Sequence, residues 1–214
     1  MQKKLIAGNW KMNGDLASAL ALTRGIVEGV HADPGLLQRC DFLICPPFVH
    51  LARARANLGQ PPLIMLGAQD CSERENGAVT GDISAAMLAD CGCGAVIPGH
   101  SERRQFHDES DALIAAKAAK AHAAGLIAVI CVGESESQRA AGAHFDVVAA
   151  QMKDALPAAM TPENTVIAYE PVWAIGTGKT ATPEDVREMH AFIRKSAGSA
   201  RILYGGSVKP ENAA

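Results

Sequence analysis

The sequence predicts an α/β fold built on a parallel sheet, and two observations carry that prediction. Short apolar runs alternate with Ala-rich stretches of helical pattern along the whole chain. The runs read as strands buried on both faces, as happens when helices cover a sheet from either side. With 214 residues, 48% hydrophobic and 20% charged, the chain is long enough to bury a large core as one soluble domain, 1–214.

Strands are expected at 5–10, 42–45, 63–68, 95–97, 126–132, 166–169 and 201–204. Helices are expected at 15–31, 47–58, 84–91, 111–123, 135–156 and 183–197. Strict alternation implies right-handed crossovers. A doubly wound sheet and a closed (β/α)8 barrel both satisfy it. The first turn, Gly8-Asn9-Trp10-Lys11, has no GxGxxG fingerprint, and polar residues cluster after several different strands; both features favour the barrel.

In order along the chain, the first strand brings Asn9 and Lys11, two apart and so on one side of an extended chain. An amide beside an ammonium suits an anionic, oxygen-rich ligand, although a solvated strand end reads the same way. After the third strand, the loop from Gln69 to Asp82 is long for a βα connection, and such loops commonly carry function. The fourth strand ends at Pro98-Gly99-His100, and Ser101 opens a helix-starting stretch. His100 therefore sits near a positive helix end, which favours a neutral imidazole donor. Pro98 lacks an N–H for a sheet ladder and is best tolerated at the very end of the strand. The fifth strand delivers Cys131-Val132-Gly133-Glu134; with no cationic partner in view, Cys131 reads as packing.

The stretch from Val166 to Thr182 organises the rest. A buried apolar run ends at Tyr169-Glu170, and Pro171 forces the chain out of the sheet. Glu170 is thereby a carboxylate at the C-terminal mouth of a strand, a place suited to a general base. Stiff ends, Pro171-Val172-Trp173 and Thr180-Ala181-Thr182, bracket a glycine-bearing tip, which suggests a lid moving as one piece. Thr182-Pro183 reads as N-cap and first residue of the next helix. The seventh strand ends in Tyr204-Gly205-Gly206-Ser207, where glycines let backbone approach a ligand and Ser207 offers hydroxyl and N–H to a phosphate.

Composition excludes other classes. A net charge of −3 argues against nucleic acid or an anionic membrane as partner, and no run approaches membrane-spanning length. Six cysteines show no CxxC pair and no zinc-like grouping, which suits free thiols in a reducing cytoplasm.

Five ordered blocks then carry a resemblance: Asn9-Trp10-Lys11, Gly99-His100-Ser101-Glu102-Arg103-Arg104, Cys131-Val132-Gly133-Glu134, the segment 166–182, and Tyr204-Gly205-Gly206-Ser207. Spread over nearly the whole chain, they resemble the triosephosphate isomerase family. The resemblance implies the TIM (β/α)8 barrel and an aldose–ketose isomerase of glycolysis and gluconeogenesis, interconverting dihydroxyacetone phosphate and D-glyceraldehyde 3-phosphate through an enediolate. Glu170 would be the base and neutral His100 the proton shuttle, the resembled family's own pattern. Lys11 would stabilise the oxyanion and Asn9 donate a hydrogen bond. Gly176 and Ser207 would bind the phosphate, Tyr204 and Ser207 latch the lid, Glu102 orient Lys11, Arg103 and Glu109 form a structural ion pair, and Glu134 anchor the lid. The loop Gln69–Asp82 would make a homodimer, with Thr80 approaching the neighbouring site and Asp82 standing where the family more often has Glu. No cofactor and no metal are implied.

The sequence reaches Ala214 in the opening of a seventh helix, so seven strands are expected, with the eighth βα unit absent and the edges of the first and seventh unpaired. An inactive truncated barrel fragment is therefore one alternative. Another phosphate-binding barrel, such as a sugar-phosphate epimerase or an aldolase, is the other, though neither metal-ligand clusters nor a Schiff-base lysine is evident.

Overall fold

Among the described residues seven parallel strands follow one another in chain order, β1-β2-β3-β4-β5-β6-β7. The structure, a computed structural model, describes residues 2–175, 178–208 and 211. It divides into two compact units, the first Met1–Ile97 with Lys120–Ala128 and the second Pro98–Ala119 with Val129–Ala214.

In the first unit β1 (Lys4–Asn9) pairs with β2 (Cys40–Cys45) over its full length, with Asn9 opposite Cys45. β2 pairs with β3 (Met65–Ala68), and β3 with β4 (Ala95–Val96). Ala95 and Val96 pair in turn with Ile127 and Ala128, which open β5 (Ile127–Val132). Helix α1 (Leu16–Ala32) starts one residue inside the expected span, with Asp15 as its cap: Asp15 accepts the Ser18 N–H at 2.8 Å and its own N–H donates to Ser18 Oγ. The stretch read as one helix, 47–58, is a 3-10 turn (Phe48–His50) running into α3 (Leu51–Arg55). A single turn, α2 (Leu36–Arg39), has no counterpart in the sequence reading. Helix α4 (Ala85–Asp90) is capped by Ser84.

In the second unit α5 (Ser101–His107) follows His100, and α6 (Asp111–Ala123) begins there and ends in the first unit. The expected helix 135–156 is two: α7 (Glu136–Ala140) and α8 (His144–Asp154). Gly142 between them has φ +72°, a left-handed conformation that ends the first helix. β6 (Thr165–Tyr169) pairs with β7 (Arg201–Tyr204), joined by α9 (Pro183–Ala197).

β4, β5 and β6 are the driest strands: β4 is buried at both residues, β5 from Ala128 to Val132 and β6 from Thr165 to Tyr169. β1 and β7 are the least covered; Ile6 is 52% exposed. Pro98 lies beyond the end of β4 and needs no ladder N–H; its carbonyl accepts the Cys131 N–H at 3.2 Å. Among the described residues no helix is long and apolar enough to cross a membrane.

Candidate active site

Glu170 follows the last residue of β6 and remains tied to the sheet, its N–H donating to the Val132 carbonyl at 2.8 Å. Its side chain is buried, one oxygen accepting the Ser101 N–H at 2.8 Å and the other lying 3.1 Å from His100 Nε2. His100 is the N-cap of α5, and its Nδ1 accepts the Glu102 N–H at 3.1 Å. A ring nitrogen that accepts a backbone N–H carries no proton, so the neutral ring holds its hydrogen on Nε2, facing Glu170. The Glu102 carboxylate lies 3.5 Å from Nδ1.

The positions of these groups follow from their neighbours. Arg104 donates to the Gly99 carbonyl (3.0 Å), the Cys131 carbonyl (3.1 Å) and Asp111 (2.5 Å), which pins the peptide just before His100. A Cβ at Gly133 would stand 1.7 Å from the Glu170 carbonyl oxygen, so only glycine admits the Glu170 backbone there. Gln151 fixes that glycine from the other side, accepting its N–H (2.7 Å) and donating to its carbonyl (3.0 Å). Arg103 and Glu109 form the expected ion pair at 2.7 Å, shared with Lys117 at 2.5 Å. Burial works against the Glu109 charge, but Lys117 and Arg103 outweigh it and hold the carboxyl below its ordinary value.

The segment expected from sequence to form a lid runs from Pro171 to Thr182; Gly176, assigned there to the phosphate, lies outside the described residues. Its near end is held by Glu134, a fully buried carboxylate. Oε1 of Glu134 accepts from Trp173 Nε1 (2.8 Å), Tyr169 Oη (3.1 Å) and Arg139 (3.1 Å). Burial and then the Glu134 charge push the Tyr169 phenol well up. Arg139 lies 4.9 Å over the Trp173 ring and also pairs with Asp185 at the start of α9. The Thr182 hydroxyl, with Arg139 adding to it, holds the Asp185 carboxyl low. At the far end Lys179 pairs with Glu136, and Thr182 and Asp185 form a reciprocal capping box. Both ends of that segment are thus tied to the residues after β5. Ser207 Oγ donates to the Ala174 carbonyl at 3.2 Å, and Tyr204 sits where a Cβ at Gly206 would come within 2.1 Å of its hydroxyl.

Asn9 and Lys11 belong to the first unit. Asn9 closes β1, and its Oδ1 accepts the Lys11 N–H at 2.9 Å. The strand ends before Lys11, which has φ +52°. The alternation used to place both side chains on one side therefore does not extend to Lys11; the local turn sets its direction. Gln69 holds that turn by donating to the Lys11 carbonyl (2.8 Å) and the Cys45 carbonyl (2.9 Å). The loop it opens is closed at its base by Ser72 donating to Asp82 at 2.8 Å. All six cysteines are free thiols; burial pushes Cys93 up to about 12, far from nucleophile chemistry. No group of metal-ligating side chains occurs among the described residues.

The structure brings together His100, Glu170 and Glu102, and separately Asn9 with Lys11. Sequence reasoning missed Ser101 N–H, Arg104, Gln151, Arg139 and Gln69. Only Arg104 and Gln69 gave a signal, as polar residues close behind strand ends.

A profile of the triosephosphate isomerase family matches residues 4–214. The chain is 53% identical to the triosephosphate isomerase of Rhizobium meliloti (strain 1021), over 99% of this chain and 84% of that one. It is 49% identical to that of Rhodopseudomonas palustris (strain BisA53), over 99% and 85%. Its structure is similar to the crystal structure of triosephosphate isomerase from Bartonella henselae, with a TM-score of 0.88 and 44% identity over 99% of this chain and 86% of that one. The fold class is therefore the TIM barrel expected from sequence, and the chain belongs to the triosephosphate isomerase family.

Proposed function

We propose that this chain, acting as a single domain over 1–214, interconverts dihydroxyacetone phosphate and D-glyceraldehyde 3-phosphate. The observation that carries the reading is the buried pair of Glu170 with a neutral, Nε2-protonated His100 at 3.1 Å. Glu170 exchanges its bonds to Ser101 and His100 for the substrate and removes the proton alpha to the carbonyl. His100 Nε2–H donates to the carbonyl oxygen and shuttles protons between the two enediolate oxygens. Lys11, oriented by Glu102, and Asn9 stabilise the developing charge. Gly176 and Ser207 bind the phosphate, and Tyr204 and Ser207 latch the closed lid. Closure excludes water, so the intermediate is reprotonated before it can expel phosphate. The chemistry is proton transfer and calls for no cofactor.

A homodimer through the loop Gln69–Asp82, in the cytoplasm, completes the proposal. Met12, 95% exposed, and Val49, 83% exposed, support it: they are large apolar side chains left uncovered in the connections that follow β1 and β2. The test is isomerisation of dihydroxyacetone phosphate by the native chain and by Glu170→Gln, which keeps the shape and removes the base. Loss of turnover in the folded variant supports the assignment; native turnover overturns it.

A further inference from the structure

The first unit contains a cavity of about 690 Å³ at the N-terminal ends of its strands: Cys40, Asp41 and Phe42 open β2, Met65 opens β3, and Gly94 precedes β4. Asn9, Lys11 and Gln69 lie at the opposite, C-terminal ends. The walls are mainly apolar, with Leu58, Ile64 and Leu66 almost fully buried. The side chain of Arg55, the last residue of α3, lines the cavity and makes no hydrogen bond or ion pair with any described residue; its Nη1 is shut off from solvent and has no partner. Its path is set by Gly92, where φ is +83° and a Cβ would come within 2.6 Å of Arg55 Nε. The other charged groups at the cavity, Lys3 and Asp41, lie 3.9 Å apart and are both partly exposed; Lys3 also donates to the Leu37 carbonyl at 2.7 Å. One positive charge is left without a counter-charge at a largely apolar wall, and its shielded Nη1 is an unpartnered donor there, which is costly.

We propose that this cavity is a second binding site, for a small amphiphilic carboxylate. The carboxylate caps Arg55, and the apolar chain lies along Phe42, Leu58, Ile64 and Leu66. The volume is that of a small-molecule site, and a fork-shaped guanidinium matches a carboxylate. A bare phosphate would leave the apolar walls empty.

Titration calorimetry with octanoate tests this, in excess inorganic phosphate so that any phosphate site elsewhere is filled. The expected result is saturable one-to-one binding that Arg55→Met weakens at least tenfold, while 1-octanol binds native and variant chains alike. Isomerase turnover of the variant should equal that of the native chain. Equal octanoate affinity in Arg55→Met, or no saturable binding up to about 10 mM, overturns the proposal. If that variant fails to fold, alkylation of the partly exposed Cys40 by N-ethylmaleimide decides on the native chain. Slowing by octanoate but not by octanol supports the site, and unchanged rates overturn it.

Discussion

Replacing Glu170 by Asp removes one methylene and draws the carboxylate back by about 1.5 Å. In the native chain its oxygens lie 2.8 Å from Ser101 N and 3.1 Å from His100 Nε2. Retraction takes both beyond hydrogen-bond reach and moves the base off its target proton by more than a displacement of ~1 Å, which is enough to cost about 10²-fold. Turnover should therefore fall about a hundredfold, equivalent to about 2.7 kcal/mol of barrier. KM should change little, because the phosphate is held elsewhere. Stability should fall by about 1–2 kcal/mol, since the Ser101 N–H loses its acceptor. A coupled isomerase assay gives kcat and KM, and urea unfolding gives the stability. A kcat within threefold of native, or a loss expressed wholly in KM, would refute the base assignment and the geometry behind it.

Lys11→Ala should abolish turnover in a chain whose circular dichroism and unfolding midpoint stay near native; measurable native-like kcat removes Lys11 from the oxyanion role. In Gly133→Ala the new methyl would meet the Glu170 carbonyl at 1.7 Å, so kcat should drop at least as far as in Glu170→Asp, and an unchanged rate would mean the base is not held there. Glu109 binds its proton less readily folded than unfolded. Its contribution is thus complete above the unfolded pKa of about 4.5 and lost as pH falls below it. Unfolding free energies measured from pH 6 to pH 3 should fall less steeply in Glu109→Gln, and an identical slope contradicts the ion-pair account. His190 shows the companion case: burial lowers its pKa from 6.5, so His190→Asn should flatten the loss of stability as pH falls below that value.

Much of this was legible in the chain because the signals were local. Thr182-Pro183, Asp15 and Ser84 name their helix starts through side-chain oxygens three residues from their targets. The apolar run before Glu170 announces a buried strand, and Pro171 announces its end. What escaped reading depends on non-local geometry. The bond from Ser101 N–H to Glu170 joins residues 69 apart. The Gln151 clasp on Gly133 spans 18 residues, and no periodicity encodes it. Lys11 shows how a sound local rule misleads at a boundary, since alternation holds only while the chain stays extended and this chain turns left-handed at φ +52°. The split at Gly142 was readable in principle: a glycine within a helical pattern flags a break, and the Ala-rich flanks concealed it.

The most direct measurement is isomerisation run in deuterium oxide, with the purified 214-residue chain and each triose phosphate in turn, followed by NMR. Proton transfer through Glu170 and His100 predicts rapid conversion in both directions without added metal or cofactor. It also predicts that deuterium appears in the product on the carbon that receives the proton, C2 of glyceraldehyde 3-phosphate in one direction and C1 of dihydroxyacetone phosphate in the other. Absence of turnover, or product with no solvent deuterium at the carbon that receives the hydrogen under any condition, would contradict an enediolate mechanism in this chain.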